Sequence, residues 1–475
     1  MRASPSPTMP ALSLSTSLAL SLVVSLTLAG CAATPGPQGH APVLPAHWQS
    51  GPAVASAEVS DLQQWWQTFG SSELDALIAQ AMTQSQDVAA AQARVRAAQA
   101  NAVIAGASLL PEVNATVSGG RQGRLGGDAA VDGTAWSAQL SASYEVDLWG
   151  RNRALRDSAL SSLRASRFDL DATRLIVTSG VAIAWLQAVA LTERADVAQQ
   201  SLASAEQLLN LVTARARAGA ATALEVAQQR GLAASQRRAV ATLRQQAGEA
   251  RTALAVLLGV PGTMPVTTMS VDSLRQPSID AGLPSALLLR RPDIATAESR
   301  LAAAQADVSA ARAAMFPALS LTAGLGYGGS QLRSLFDNPI YSVAAALAAP
   351  IFNAGRLGAV RDRADARREE LLATYRQTIV AAAGDVERAL NALAGNAAQR
   401  VAQDEELAQA RRALTLAESR YRAGAESMLT LLDTQRSLYA AQDTAVALRA
   451  DGLSASIALY KALGGGWQET QGVTF

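Results

Sequence analysis

Thiol and imidazole chemistry are nearly missing from this chain: Cys31 is its one cysteine, and His40 and His47 are its two histidines. A single thiol cannot build a disulfide framework, and both histidines sit in a proline-rich stretch that reads as solvated linker. Little remains for metal chemistry, no nucleophile, base or metal constellation of an enzyme can be picked out, and no cofactor is expected. An excess of either charge is missing too. Forty basic residues face 39 acidic ones for a net charge of +1, which argues against a nucleic-acid polyanion as partner. Gly324-Leu-Gly-Tyr-Gly-Gly329 has a faint look of a nucleotide loop, but a polar loop and a strand follow it where a helix would be needed. Proline is absent between Gly150 and Pro261 and again after Pro350, as very long helices require.

What is present begins with a strand that runs straight into such a helix. From Trp136 to Leu148 the apolar residues fall at 136, 138, 140, 142, 144, 146 and 148, a period of two with two unlike faces. After one tight turn at Asp147-Leu-Trp-Gly-Arg151 the period becomes seven. Val177/Val181, Ala184/Ala188, Leu191/Ala195, Ala198/Leu202, Ala205/Leu209 and Val212/Ala216 are successive a/d pairs, a coiled-coil seam. At 1.5 Å per residue this rod would be on the order of 100 Å long. A filamentous coiled coil would share that seam; a rod fused to a strand also suits a bridge between two membranes.

The pattern occurs twice. A shift of 205 residues carries Gly150-Arg151 onto Gly355-Arg356 and Arg217-Ala-Gly219 onto Arg422-Ala-Gly424, and a shift of 206 carries Leu110-Pro111 onto Phe316-Pro317. A tandem duplication in which each copy supplies a helix, a strand pair, a rod and a return helix predicts one composite structure. Residues 1–30 read as an export signal, with Arg2 ahead of an apolar run from Ala11 to Gly30. Leu28-Ala-Gly-Cys31 looks like a bacterial lipobox, so Cys31 is the expected lipidation site, and Ala32 in place of Asp resembles lipoproteins sent to the outer membrane. Residues 31–60, with five prolines, make a lipidated tether. The first repeat covers 61–283, with strands over about 112–119 and 134–148, the rod over about 152–218 and a return helix over about 222–258. The second covers 284–463, with strands over about 318–328 and 341–350, a rod over about 354–423 and a return helix over about 426–463. Residues 464–475 are a tail.

Four strands of about 10 residues match the length that crosses hydrocarbon at a tilt, yet four cannot close, and an open edge in lipid leaves backbone groups unpaired at several kcal/mol each. Neighbouring copies must then supply the rest: two give 8 strands and a filled barrel, three give 12 and a water-filled lumen. Trp136 and Trp149 would mark the two interfacial girdles. A small soluble sheet is the plainer alternative for the same alternation.

Over nearly the whole mature chain, these motifs resemble the TolC-type outer-membrane factors, in the lipoprotein branch that serves tripartite efflux systems. The resemblance rests on Trp65-Trp66, Leu289-Arg-Arg-Pro-Asp-Ile294, Pro350-Ile-Phe-Asn-Ala-Gly-Arg356, Arg420-Tyr-Arg-Ala-Gly424 and Gln435-Arg436-Ser-Leu-Tyr439 in that order. It implies a mostly α fold with membrane β: a homotrimer in which four strands per chain form a 12-stranded barrel, continued by a coiled-coil helical tunnel. It also implies outer-membrane lipid around the barrel, a periplasmic adaptor (a membrane fusion protein) at the tip, and an inner-membrane pump of the resistance-nodulation-division class beyond it. By position, Tyr421, Leu429, Asp433 and Arg436 would form a periplasmic gate, with Leu429 and Asp433 pointing into the aperture and Tyr421 and Arg436 in the bonding network that holds the helices inward. The turns at Arg217, Gly219, Arg422 and Gly424 would touch the adaptor, and Gly150, Arg151, Gly355 and Arg356 would join strands to rods. Thr430 stands where some relatives carry a second acidic residue, so a double acidic ring is not expected. The competing roles are the exit duct of a type I protein-secretion system and a coiled-coil envelope lipoprotein that conducts nothing.

Overall fold

The computed structural model describes residues 42, 44–50, 64–126 and 133–468. The expected signal sequence and Cys31 lie outside them. A turn of 3₁₀ helix (Trp65–Phe69) precedes α1 (Ser72–Gln84) and α2 (Gln86–Ala107). Ser71 caps α1 by accepting from the Leu74 amide at 3.2 Å, and the extended backbone of Ser85 separates α1 from α2. Next come β1 (Glu112–Gln122), β2 (Gly133–Val146), α3 (Arg151–Arg217) and α4 (Ala223–Leu257). A proline-bearing joint leads to α5 (Pro292–Ala313), β3 (Ala318–Gly329), β4 (Pro339–Ala348), α6 (Arg356–Arg422) and α7 (Met428–Ala462). The rods α3 and α6 are 67 residues each and the return helices α4 and α7 are 35 each.

The strands form one antiparallel sheet in the order β1-β2-β3-β4. Its register puts the apolar residues of all four strands on one face, through Ala115↔Leu140, Leu140↔Leu325 and Leu325↔Tyr341. Asn114, Ser141 and Gly324, paired in the same way, lie on the other. Every residue of β1 and β4 is exposed, and among the described elements no helix packs broadly against the sheet. A soluble sheet would bury its apolar face; this one presents Val117, Leu325, Tyr341 and Val343 to the outside. β1 runs on to Gln122, past the expected end near 119, because the glycines pair in register with β2. A Cβ on Gly119 would lie 2.4 Å from the Trp136 ring, so glycine is what lets that indole cover the strand. β4 starts at Pro339, which an edge strand tolerates.

The helices repeat the lateral order of the strands. Beside the sheet the sequence of packed neighbours is α2–α3–α5–α6, and farther away it is α4–α3–α7–α6. α3 is therefore central for its whole length, and α2, α4 and β1 share one edge while α6 and β4 share the other. Burial follows this placement. Of the seam residues expected on α3, Val177, Val181, Ala184, Ala188, Leu191, Ala195, Leu202, Ala205 and Val212 are buried and Ala198, Leu209 and Ala216 half-buried. On α6, Ile379, Val386 and Leu390 are buried, but Leu357, Val360, Ala364, Leu371, Tyr375 and Leu393 are half-buried. An edge helix has a neighbour on one side only. Residues 48–50 of the tether are docked: the Trp48 indole donates to the Gly282 carbonyl at 2.8 Å, and the Gln49 and Ser50 amides donate to Glu387 on α6.

Candidate functional site at the helical tip

Two hairpin turns end the rods at the pole remote from the sheet. Each is closed in the same way, by a glycine in the left-handed region, Gly219 at φ 75° and Gly424 at φ 76°. The Ala220 amide donates to the Arg215 carbonyl at 2.8 Å, and the Ala425 amide to Arg420 at 2.9 Å. These bonds satisfy carbonyls that a helix end would otherwise leave unpaired. Thr222 and Glu225 then form a reciprocal capping box that starts α4, and Ser427 caps α7 by accepting from the Thr430 amide at 3.2 Å. Arg217 and Arg422 are exposed beside the turns.

The four residues assigned to a gate lie in two places at the tip. Leu429, Asp433 and Arg436 lie on successive turns of one α7 face, all exposed. Neither Asp433 nor Arg436 makes an ion pair or side-chain hydrogen bond among the described residues. Tyr421 lies instead in the apolar cluster at the tip, with Val212, Leu414, Met428 and Leu431. Its hydroxyl is buried without a partner. Burial, then the negative charge of Glu225, push that hydroxyl above the ordinary phenol value, and Arg215 opposes them.

Two contacts here were not singled out from the sequence. Arg215, in the last turn of α3, donates to the Tyr421 carbonyl and places its guanidinium 4.7 Å from the centre of the Tyr421 ring, so one side chain ties the two hairpins together. Farther up, Arg194 on α3 holds Asp443 on α7 through two bonds of 2.8 Å. A groove of about 840 Å³ between α3, α4 and α7 is lined by Arg194, Arg238, Arg436, Tyr439 and Asp443. Arg215 corresponds to Arg420 in the duplication, a signal that the spacing carried, but no period announces an interaction between hairpins.

At the other pole, Gly150 and Gly355 start the rods with φ 78° and 81°. Arg151 pairs with Glu145 of β2 at 2.8 Å, and Asp147 accepts from the Asn152 and Arg153 amides at 3.1 and 2.9 Å. The exposed amides at the helix start are thereby satisfied by the strand that feeds it. The Trp149 indole stacks on Phe316 with centroids 4.8 Å apart and donates to the Pro317 carbonyl at 2.7 Å. It marks the strand-to-rod end of the sheet, with Trp136 toward the loop end.

The model of the outer membrane efflux protein family matches residues 77–260 and 283–465. The chain is 53% identical over 460 residues to the pyoverdine export outer membrane protein OpmQ of Pseudomonas aeruginosa, covering 94% of this chain and 97% of that one. It is 33% identical over 456 residues to the cation efflux system protein CusC of Escherichia coli, covering 95% and 99%. The structure of the open state of the Neisseria gonorrhoeae MtrE outer membrane channel superposes with a TM-score of 0.81 at 31% identity, covering 90% and 98%. These relatives are membrane channels and not enzymes.

Proposed function

Because the chain belongs to the outer membrane efflux protein family, we propose that this outer membrane efflux channel works as a homotrimer and is the exit duct of a tripartite pump. The observation that carries this reading is the sheet, with an apolar outer face and two unpaired edges, β1 and β4. Three such sheets joined edge to edge make a 12-stranded barrel with a lumen wide enough for water, whereas one alone would leave both edges unpaired in lipid. The rods, about 100 Å long, continue that lumen away from the membrane.

Cys31 carries the lipid that holds the tether to the membrane. The turns at Arg217, Gly219, Arg422 and Gly424 are the surface offered to a periplasmic adaptor, which couples the duct to an inner-membrane pump of the resistance-nodulation-division class. The exposed stripe Leu429, Asp433, Arg436 closes the aperture at the tip, with Tyr421 behind it tying the α6–α7 hairpin to the α3–α4 hairpin through Arg215. The 53% identity to a pyoverdine export protein supports pyoverdine export as the cargo pathway. Native mass measurement of the detergent-solubilised protein tests the assembly, with a trimer expected and a monomer or dimer contradicting it. Replacing Asp433 and Arg436 together should raise single-channel conductance in planar bilayers; unchanged conductance removes the gate from this stripe.

A further inference from the structure

The two edges of the protomer carry opposite charges at the same height. On α6, Gln403 and Leu407 are buried toward α7, and the Gln403 amide donates to the Ala441 carbonyl at 2.9 Å. Glu405, two residues from each, points to the opposite side and is exposed. On α4, Ala233 and Val240 are buried toward α3, and Arg238 stands nearly opposite them, exposed at the rim of the groove between α3, α4 and α7. Neither Glu405 nor Arg238 has a side-chain hydrogen bond or ion pair among the described residues, and Asp404 and Glu406, which flank Glu405, have none either. At 1.5 Å per residue Glu405 lies about 25 Å above the end of α6 at Arg422, and Arg238 about 23 Å above the start of α4 at Ala223. The two tips are level, since Arg215 of one hairpin reaches Tyr421 of the other.

We propose that Glu405 of one copy pairs with Arg238 of the next, across a seam of α6 against α4. The proposal rests on the oligomeric reading above and assigns the contact within it. Rotation about a common axis keeps the height of every residue, so a ring can bring together only groups at equal height. The same rotation that sets β4 against the neighbour's β1 sets α6 against its α4, because the lateral order of helices matches that of strands. The same α6 face also exposes Val401, Arg412 and Leu416, and the same α4 face exposes Leu224, Glu249 and Val256, so apolar and charged positions alternate along the seam. Apolar surfaces slide past one another at little cost; an ion pair between groups of opposite charge at equal height selects one register.

The test uses the full-length protein with Glu405→Cys and Arg238→Cys together, treated with a short bis-maleimide in detergent. Bands at dimer and trimer mass are expected, with none from either single variant. A double variant that is trimeric by native mass yet gives no cross-link overturns the seam and leaves the trimer standing; a wild-type protein that is monomeric overturns both. Charge reversal gives a second readout. Glu405→Arg should raise the monomer fraction at a fixed detergent challenge severalfold, and adding Arg238→Glu should restore the trimer; no rescue counts against the pair.

Discussion

Arg291 and Asp385 are 94 residues apart in the sequence, yet the Arg291 Nη1 sits 3.2 Å from the Asp385 Oδ2. The same guanidinium, almost wholly buried, pairs with Asp293 at 2.7 Å and donates to the Ala462 carbonyl at 3.1 Å. One side chain therefore fastens the start of α5, the middle of α6 and the end of α7. Beside it Gly464 passes so near the Arg290 carbonyl that a Cβ there would lie 1.8 Å away.

Arg291→Ala should lower stability by roughly 2–3 kcal/mol, below the cost of breaking a fully buried pair because both carboxylates stay partly in water. Arg291→Lys should recover little, since a point charge cannot hold two carboxylates and a carbonyl in a fork. Thermal unfolding of the purified protein checks both, and an unchanged midpoint for the alanine variant would show that the clamp is dispensable.

Glu73 makes stability depend on acid. Burial works to raise its pKa, but the Thr268 hydroxyl, the Thr267 and Thr268 amides and the Trp185 indole together hold it below the ordinary carboxylate value. A carboxyl with a depressed folded pKa contributes fully above its unfolded value, about 4.3, and loses that contribution as pH falls through the folded value. Glu73→Gln should cost roughly 2 kcal/mol near neutrality and should flatten the decline of the unfolding midpoint below about pH 4.3. Parallel acid profiles in the two proteins would contradict this.

The Trp136 ring over Gly119 predicts that Gly119→Val blocks strand pairing at the loop end of β1. The fraction of protein recovered in outer membranes should fall, while Gly120→Ala, where a Cβ meets open space, should be tolerated. Equal recovery of both variants would mean that the ring is free to move aside.

Cys31→Ser should abolish acylation, read by mass spectrometry of the mature protein. Acyl chains still present on the variant would place the anchor elsewhere.

Much of the architecture was legible because its periods are strict. A two-residue period in Trp136–Leu148 and a seven-residue period from Val177 to Ala216 leave one backbone geometry each that buries or groups the apolar residues. The return helices were expected from about 222 and 426, and the caps Thr222 and Ser427 start them at Ala223 and Met428. At the tip, motif position separated Leu429 and Asp433, expected at the aperture, from Tyr421 and Arg436, expected in the network behind it; Tyr421 is buried in the tip cluster, and Leu429, Asp433 and Arg436 are exposed.

By itself the amino-acid order determined which segments are strands and rods, where they reverse and that four strands are too few to close, because these follow from local periodicity and backbone hydrogen bonding. Only the tertiary structure decided that α3 is central and α6 an edge, that Arg215 meets Tyr421, and that Arg291 fastens three helices together. Those contacts join residues far apart along the chain, and their partners are chosen by how packed helices lie side by side, which no local period records.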